Sequence, residues 1–324
     1  MSGSKLIAAL CWLGCVASGC AASGNGGARC VVGADCASGV CRADGTCLPV
    51  SDDAGVDTDG AIERDADVER DGGAMEDATV DAAFDAGSIG CAPNHDGTIT
   101  RAEVPIRAGL RATFRTATDA MVDLTGEVLG DGSRRWSLVG PFVGDRDVLV
   151  ELREPDGLWF ADDFPGATYV TELTSDSDLL GVFEVTGDAL LLRGVGSPES
   201  GFTETRLIND PAIGTLRFPL EEGDRWTEEV DVTGRALGVI TTYDETYESV
   251  VDAAGELETP FGTFEVLRVR TELVRDNGFG VVLSRVRTYA FVSECFGTVA
   301  VVRSGESESA TERFVAAEVR RLAP

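Results

Sequence analysis

The stretch LSRVRTYAFV, residues 283–292, decides the fold of this chain. Its side chains follow the two-residue period of a β-strand, in which successive residues point to opposite faces. One face carries Val286, Thr288, Ala290 and Val292, and the other carries Arg285, Arg287, Tyr289 and Phe291. The second face is polar at one end and aromatic at the other, so the pattern predicts a strand in a sheet that packs against a core.

The same period recurs across residues 104–324, where Asp-Gly and Gly-Asp pairs separate the segments. No segment shows sustained helical periodicity. We predict strands at Leu110–Thr116, Met121–Leu129, Arg135–Val139, Val148–Arg153, Ala167–Leu173, Leu180–Thr186, Ala189–Val195, Phe202–Ile208, Trp226–Thr233, Val239–Val251, Phe264–Arg275, Val281–Val292, Thr298–Arg303 and Thr311–Leu322. A slip in the alternation at Val266-Leu267 predicts a β-bulge. The chain is therefore expected to be mostly β, as an antiparallel half-barrel, barrel or sandwich.

Two motifs in this region resemble those of uncharacterised, secreted β-rich lipoproteins of bacteria. They are FPLEEGDRW (Phe218–Trp226) and TPFGTFEVLRVRTEL (Thr259–Leu273), with the turn Pro260-Phe261-Gly262-Thr263 as the most similar part. The resemblance covers Phe218 to Arg320 and implies an open half-barrel. Its motifs are structural, so it implies no catalytic residues.

The N-terminus has the organisation of a secretory signal, predicted at residues 1–19. Lys5 precedes the apolar run Leu6–Val16, which is shorter than the roughly 20 residues of a membrane-spanning helix. Ala17-Ser18-Gly19 followed by Cys20 resembles a bacterial lipobox. The resemblance implies cleavage before Cys20, lipidation of its sulfur and, since Ala21 is not aspartate, location at the outer membrane. The alternative is an ordinary cleaved signal peptide, with Cys20 merely the first cysteine of the mature chain.

The charge of the chain restricts its partners. Of the 324 residues, 27 are basic and 56 are acidic, which gives a net charge of −29. So acidic a protein is repelled by nucleic acid and by anionic membrane surfaces. We therefore predict contact with a membrane through the N-terminal lipid and no nucleic-acid partner. The sequence does not identify a protein or ligand partner.

The cysteines predict a disulfide framework. Of nine cysteines, Cys11 and Cys15 leave with the signal and Cys20 takes the lipid. An even set remains for an oxidising compartment: Cys30, Cys36, Cys41, Cys47, Cys91 and Cys295. The first four form a predicted disulfide-rich module at residues 30–47, after a short tether at residues 20–29. Zinc is the alternative for this module, but its spacing lacks close Cys-x2-Cys pairs.

By elimination, Cys91 pairs with Cys295. That bridge would place the segment CAPN, which begins at Cys91, against the turn Glu294–Gly297.

Residues 48–90 are predicted to be a disordered acidic linker. Between positions 51 and 90 there are 13 acidic residues and two arginines, with no apolar period. Such a segment cannot bury enough apolar surface to offset the entropy of ordering it. Calcium binding by its acidic repeats is the alternative.

Residues 91–103, CAPNHDGTITRAE, form a degenerate EF-hand-like turn. Asn94, Asp96 and Glu103 match ligand positions of the calcium loop, but Ala92 stands where the first ligand, an aspartate, is required. An Asx-type turn at Asn94–Gly97 is the favoured interpretation. We therefore predict no tight calcium site, with Asn94, Asp96 and Glu103 as weak candidates for metal ligands.

No catalytic constellation is visible. His95 is the only histidine, and the nucleophile elbow, the P-loop and the dinucleotide fingerprint are all absent from the sequence. The loop GLWFADDFPG, residues 157–166, offers Trp159, Asp162 and Asp163 as weak candidates for a sugar or cation site. A turn between two core aromatics is the favoured interpretation. We predict no cofactor.

Three functions are compatible with these patterns. The favoured one is a non-enzymatic cell-envelope lipoprotein that presents a tethered β domain, residues 104–324, for binding or for an envelope role. The alternatives are a carrier of lipid or another hydrophobic ligand in a half-barrel cavity, and a secreted hydrolase that uses two carboxylates. A packed core without a cleft favours the first, an apolar cavity the second, and convergent buried acids the third.

Overall fold

The computed structural model describes residues 91–308 and 311–324. The predicted signal peptide, Cys20, the tether, the cysteine-rich module and the acidic linker lie outside these residues and stay predictions. None of the helices in the described part is long and apolar enough to cross a membrane.

Seventeen β-strands make up nearly all of the regular structure in the described residues, and the helical segments there are two short 3₁₀ turns, Arg101–Glu103 and Ala161–Asp163. The strands are β1 Thr98–Ile99, β2 Arg111–Ala117, β3 Ala120–Asp123, β4 Glu127–Val128, β5 Arg134–Ser137, β6 Arg146–Glu151, β7 Tyr169–Glu172, β8 Leu180–Val185, β9 Ala189–Gly196, β10 Arg206–Arg217, β11 Leu220–Glu221, β12 Arg225–Ala236, β13 Val239–Glu258, β14 Thr263–Asp276, β15 Val282–Ser293, β16 Gly297–Ser304 and β17 Arg313–Leu322.

One large antiparallel sheet curls almost into a closed barrel. Its strands follow the order β6-β2-β17-β16-β15-β14-β13-β12-β10-β9-β8-β7. The two ends of this path meet where Arg153, just after β6, and Val170 of β7 exchange two backbone hydrogen bonds of 2.9 Å. This single bridge brings the two ends of the sheet together without a continuous ladder between β6 and β7. The prediction of a mostly β, antiparallel barrel-like fold is confirmed.

The strands β13 to β15 are buried on both faces, and each face packs against a separate core. The inner core, on the concave face, joins strands across the barrel: Tyr169, Phe183, Leu190, Leu216, Phe218, Leu220, Val251, Leu267, Val269 and Val292. The outer core, on the other face, is covered by the segment that contains β3 to β5 and includes Leu124, Trp136, Leu257, Val266, Tyr289, Phe291, Val302 and Phe314. Trp136 donates its indole N–H to the carbonyl oxygen of Leu124 at 2.9 Å.

Burial on both faces explains why the predicted bulge at Val266-Leu267 is wrong. Val266 packs in the outer core and Leu267 in the inner core, so consecutive apolar residues continue an ordinary strand. The register of β14 against β13 is unbroken at both residues. The irregularity lies on the partner strand, between Val251 and Ala253 of β13.

Most predicted strands lie within a few residues of the observed ones, but the segment Phe202–Ile208 is largely wrong. Phe202 lies in an exposed loop, and the strand β10 starts at Arg206 and continues to Arg217. Pro211 interrupts the sequence pattern there, since proline cannot donate to a β-ladder. The structure places Pro211 within the irregular stretch between Ile208 and Ile213 of β10.

The N-terminal turn, residues 91–103, is fastened to the hairpin between β15 and β16. Cys91 and Cys295 form a disulfide with their Cα atoms 5.6 Å apart. The backbone N–H of Cys295 donates to the carbonyl oxygen of Glu103 at 2.7 Å. The short strand β1 pairs with β11 and buries Ile99. The structure thus contains the bridge that the cysteine count predicts, and the turn lies where that bridge requires it.

Candidate functional site

The predicted ligand residues of the N-terminal turn use their oxygens within the turn itself. Asn94 Oδ1 accepts from the N–H of Asp96 at 3.0 Å, and Asp96 Oδ1 accepts from the N–H of Thr98 at 2.8 Å. Glu103 Oε1 accepts from the Asn94 side-chain amide at 2.8 Å, and its Oε2 accepts from the N–H and hydroxyl of Thr100. In residues 91–308 and 311–324, no group of three or more His, Cys, Asp and Glu side chains is arranged to hold a metal ion. These bonds build an Asx turn followed by a capping box.

Two glutamates, one in β14 and one just after β15, hold this turn in place. Glu294 Oε2 accepts from the N–H groups of Asn94 at 2.7 Å and His95 at 3.3 Å. Glu265 Oε2 lies 2.6 Å from His95 Nδ1, and both side chains are more than half exposed. His95 has a positive φ of 55°. This left-handed conformation points its ring back toward β14, where the carboxylate of Glu265 lies.

An open groove of about 420 Å³ lies between the turn and the strands β13 to β15. Its apolar lining includes Ile99, Ala254, Phe264, Leu267 and Phe296. Its acidic lining consists of Asp131, Glu256, Glu265 and Glu294. We define these residues, together with His95, as the acidic groove. It is the candidate functional site of the described residues because it combines an apolar surface with four carboxylate side chains.

The acids of this groove are held by different partners. Glu256 forms an ion pair with Arg135 at 2.7 Å, and this contact raises the pKa of the Arg135 guanidinium. Asp131 accepts from the hydroxyl of Ser133 at 2.6 Å, which lowers the pKa of the Asp131 carboxyl. With four carboxylates against one guanidinium and one histidine, the groove suits a cationic group attached to an apolar one.

Ser133, Thr263 and Ser293 also line the groove, but the hydrogen bonds of the described residues do not join any of them to His95. A carboxylate–histidine pair such as Glu265–His95 becomes catalytic when the second ring nitrogen contacts a serine, threonine or cysteine. Among the described hydrogen bonds, none places a hydroxyl or thiol against His95 Nε2. The Cys295 sulfur is held in the disulfide.

The aromatic loop at residues 157–166 is built into the wall of the barrel. Trp159 donates its indole N–H to the carbonyl oxygen of Ser197 at 2.9 Å. Asp163 forms an ion pair with Arg206 at 2.7 Å, and Asp162 is exposed on the 3₁₀ turn. The intervening Phe160 and the following Phe164 are buried with Val170 and Leu180. Two of the three candidate residues, Trp159 and Asp163, therefore have structural partners.

The buried acids that sequence reasoning missed are all bound to arginine. Glu228 accepts from Arg217, Glu245 from Arg275, and Glu318 from Arg320. Tyr247 donates its hydroxyl to Glu245 at 2.6 Å. Burial, together with the charge of Glu245, raises the pKa of Tyr247 well above its ordinary value. The strand alternation predicts that these acids share a face with apolar residues, but it does not show which arginine reaches them.

Comparison with known proteins gives little beyond this geometry. No family model matches the chain, and no curated protein matches it. Among solved structures, it is similar to a proposed exported protein with a YmcC-like fold from Bacteroides fragilis. The two share 10% sequence identity with a TM-score of 0.30, over 72% of this chain and 96% of that chain. The fold assignment above therefore rests on the strand pairing of this chain itself.

Proposed function

We propose that this chain is a lipoprotein of the cell envelope that presents its β domain on a tether and acts by binding rather than by catalysis. The observation that carries the proposal is the Cys91–Cys295 disulfide. Structural disulfides form and persist in oxidising compartments, which a bacterial chain reaches by export. The bridge also lies where the predicted linker meets the domain, and the motif Ala17–Cys20 supplies the anchor at the other end of that linker.

The paired acids support a binding role over a carboxylate-dependent hydrolase. Glycoside hydrolysis needs one carboxyl group as a proton donor and a second as a base or nucleophile. Each of the buried acids Glu228, Glu245 and Glu318 instead neutralises a neighbouring arginine. The oxygens of these acids are therefore engaged in contacts within the fold.

The packing of the inner core supports a binding role over a carrier of hydrophobic ligands. A carrier needs an apolar cavity, but the aromatic side chains of Tyr169 and Phe183 stack 5.0 Å apart across β7 and β8. Phe218 and Leu220 fill the same core beside the N-terminal turn. The open recess beside this turn is the acidic groove, whose charge disfavours a lipid tail and favours a cationic ligand.

Fatty-acid labelling of the full chain in a Gram-negative host tests the anchor. We expect wild-type protein to incorporate labelled palmitate and to sediment with membranes. Cys20→Ser should lose the label, because the thioether attachment point is gone. Cys15→Ser is the matched control, since it removes the other cysteine near the end of the apolar run. That variant should keep the label.

Two results would contradict this assignment. Equal labelling of wild type and Cys20→Ser would exclude lipidation at Cys20. Loss of the label in Cys15→Ser alone would move the processing site to Cys15.

A further inference from the structure

One end of the barrel exposes an unusual concentration of large apolar side chains. Three separate loops contribute to it: the segment 201–205, the β12–β13 hairpin at 236–240 and the β14–β15 hairpin at 277–284. We call these three segments the apolar end. Phe202 is 100% exposed, Phe279 91% and Ile240 82%. Five further residues of these segments are more than half exposed: Leu237, Val239, Val281, Val282 and Leu283.

The strand register places the three segments at the same end of the sheet. Asp244 of β13 pairs with Asp276 of β14, so both hairpins turn at the end of their strands that lies away from the disulfide. The N–H of Gly238 donates to the carbonyl oxygen of Glu204 at 2.8 Å, which joins the first segment to the β12–β13 hairpin. The exposed side chains therefore lie at the same end of the sheet, and the first two segments are in direct contact there.

The apolar end lies opposite the disulfide at which the domain begins. β15 runs from Val282, at the apolar end, to Ser293, two residues before Cys295. A strand of this length, 12 residues, spans about 40 Å. The acidic groove and the N-terminal turn are thus at one end of the barrel, and the apolar end is at the other.

The apolar end is nearly uncharged. The three segments contain one acid, Glu204, and no lysine, arginine or histidine. Monomeric soluble proteins seldom expose apolar patches of more than a few hundred Å², and larger ones mark contact surfaces. The exposed Arg235, the register partner of Ile240, and the exposed Glu199 flank these segments with opposite charges. The surface therefore has little net electrostatic attraction for anionic lipid or for acidic partners.

We propose that the apolar end inserts its side chains into the interfacial region of an electrically neutral lipid bilayer. The side chains protrude from three separate loops, and protruding apolar tips match the deformable boundary between headgroups and acyl chains. The absence of basic residues from these segments selects zwitterionic lipid over anionic lipid.

The length of chain before the domain permits this contact, a step that rests on the lipid anchor proposed above. The segment between the lipidated Cys20 and the disulfide at Cys91 is residues 21–90. Without the predicted disulfide-rich module at residues 30–47, about 50 residues of this segment can extend, and they reach at most about 180 Å, which is several times the length of β15. The anchored domain can therefore turn its far end toward the same bilayer.

Vesicle binding by the non-lipidated mature chain tests the proposal independently of the anchor. The parent is residues 21–324, exported behind a cleavable signal peptide without a lipobox, and mixed with phosphatidylcholine vesicles or with vesicles that also contain phosphatidylglycerol. The test variant is Phe202→Asp/Phe279→Asp. The matched control is Val143→Asp/Leu149→Asp, which changes exposed apolar residues away from the apolar end.

We expect the parent to co-sediment with phosphatidylcholine vesicles, with no gain from phosphatidylglycerol and no loss in high salt. The test variant should bind roughly tenfold to 100-fold more weakly, because two phenyl rings are lost from the lipid boundary. The control variant should bind like the parent. In a second readout, the fluorescence of Phe279→Trp should shift to the blue and be quenched by brominated lipid, and that of Val143→Trp should not.

Several results would overturn the proposal. The first is that the parent does not bind vesicles. The second is that the test and control variants bind equally weakly. The third is that binding requires anionic lipid and is lost at high salt. A concentration-dependent oligomer that the test variant abolishes, without vesicle binding, would assign the apolar end to a second copy of the chain. Palmitate labelling is unaffected by any of these results, so failure of the anchor and failure of this surface are distinguishable.

Discussion

At the scale of single residues, two arginine–aspartate pairs share one chemistry in different surroundings. Arg321 of β17 donates to both carboxylate oxygens of Asp145, and Arg115 of β2 donates to both oxygens of Asp147. The two arginines are partners in the β2–β17 register. The side chains of the first pair are 0% and 16% exposed, and those of the second are 36% and 51% exposed.

We therefore predict that Asp145→Ala and Asp147→Ala differ in their effect on stability. Asp145→Ala leaves the guanidinium of Arg321 buried without its anion, which should lower the free energy of unfolding by about 3–5 kcal/mol. Asp147→Ala should leave the urea midpoint almost unchanged, because water screens an exposed pair. Urea unfolding followed by circular dichroism measures both. Equal losses in the two variants would show that burial does not set the strength of the first pair.

The sequence could not reveal the Arg321 site. The alternation in β17 identifies the strand, but Arg320 and Arg321 are adjacent and only their partners distinguish them. Asp145 lies 176 residues before Arg321 in the chain. Arg321 also donates to the carbonyl oxygen of Leu138 at 2.6 Å, and backbone acceptors carry no signature in a sequence.

At the scale of the elements, the join between β5 and β13 depends on a glycine. β5 pairs in parallel with the last residues of β13, and Gly255 lies opposite Arg134. A Cβ atom at Gly255 would lie 1.8 Å from the carbonyl oxygen of Arg134. That distance is far inside van der Waals contact, and the obstructing atom belongs to the backbone. A side chain there must push β5 away and open the outer core at Trp136.

We predict that Gly255→Ala destabilises the domain and that Gly262→Ala does not. The first substitution should cost more than about 2 kcal/mol, since it separates β5 from β13. The second adds a methyl group where no atom lies within 4 Å, in the turn between β13 and β14. Thermal unfolding and the exposure of Trp136, read from its fluorescence, report the outcome. An unchanged melting temperature for Gly255→Ala would contradict this account of the join.

The strands that the sequence predicts best are those with regular alternation and short turns. The predicted bounds of β14 and β15 lie within about one residue of the observed ones, and the turn Pro260–Thr263 lies between β13 and β14 as expected. Strand prediction from the sequence fails where a strand forms only because of its partner in the fold. β1 and β11 are two residues each and exist because each pairs with the other, which no local pattern can show.

At the scale of the whole molecule, one long-range contact was predictable and the groove beside it was predictable only in part. Cysteine pairing places the CAPN segment against Glu294, so the contact of Glu294 with the N-terminal turn follows from it. The pairing of His95 with Glu265 does not follow from the disulfide. It depends on which face of β14 carries the glutamate and on the positive φ of His95. Closure of the sheet through Arg153 and Val170 depends in the same way on the accumulated twist of many strands.

The predicted division of the chain into a linker and a compact domain has a consequence for limited proteolysis. Residues 51–90 contain 13 acids without an apolar period, whereas 21 of the 39 acids of residues 104–324 lie in paired strands. A protease that cuts after Asp and Glu should therefore cleave first between positions 52 and 85, since cleavage needs a locally unfolded backbone. Mass spectrometry should find a stable fragment that retains Cys91 and Cys295 in their disulfide. The control is Cys91→Ser/Cys295→Ser, which should leave the first cleavage sites unchanged. Later cleavage should reach the N-terminal turn in this variant, because the turn is no longer bonded to the β15–β16 hairpin. First cleavage within residues 104–324 would contradict the division.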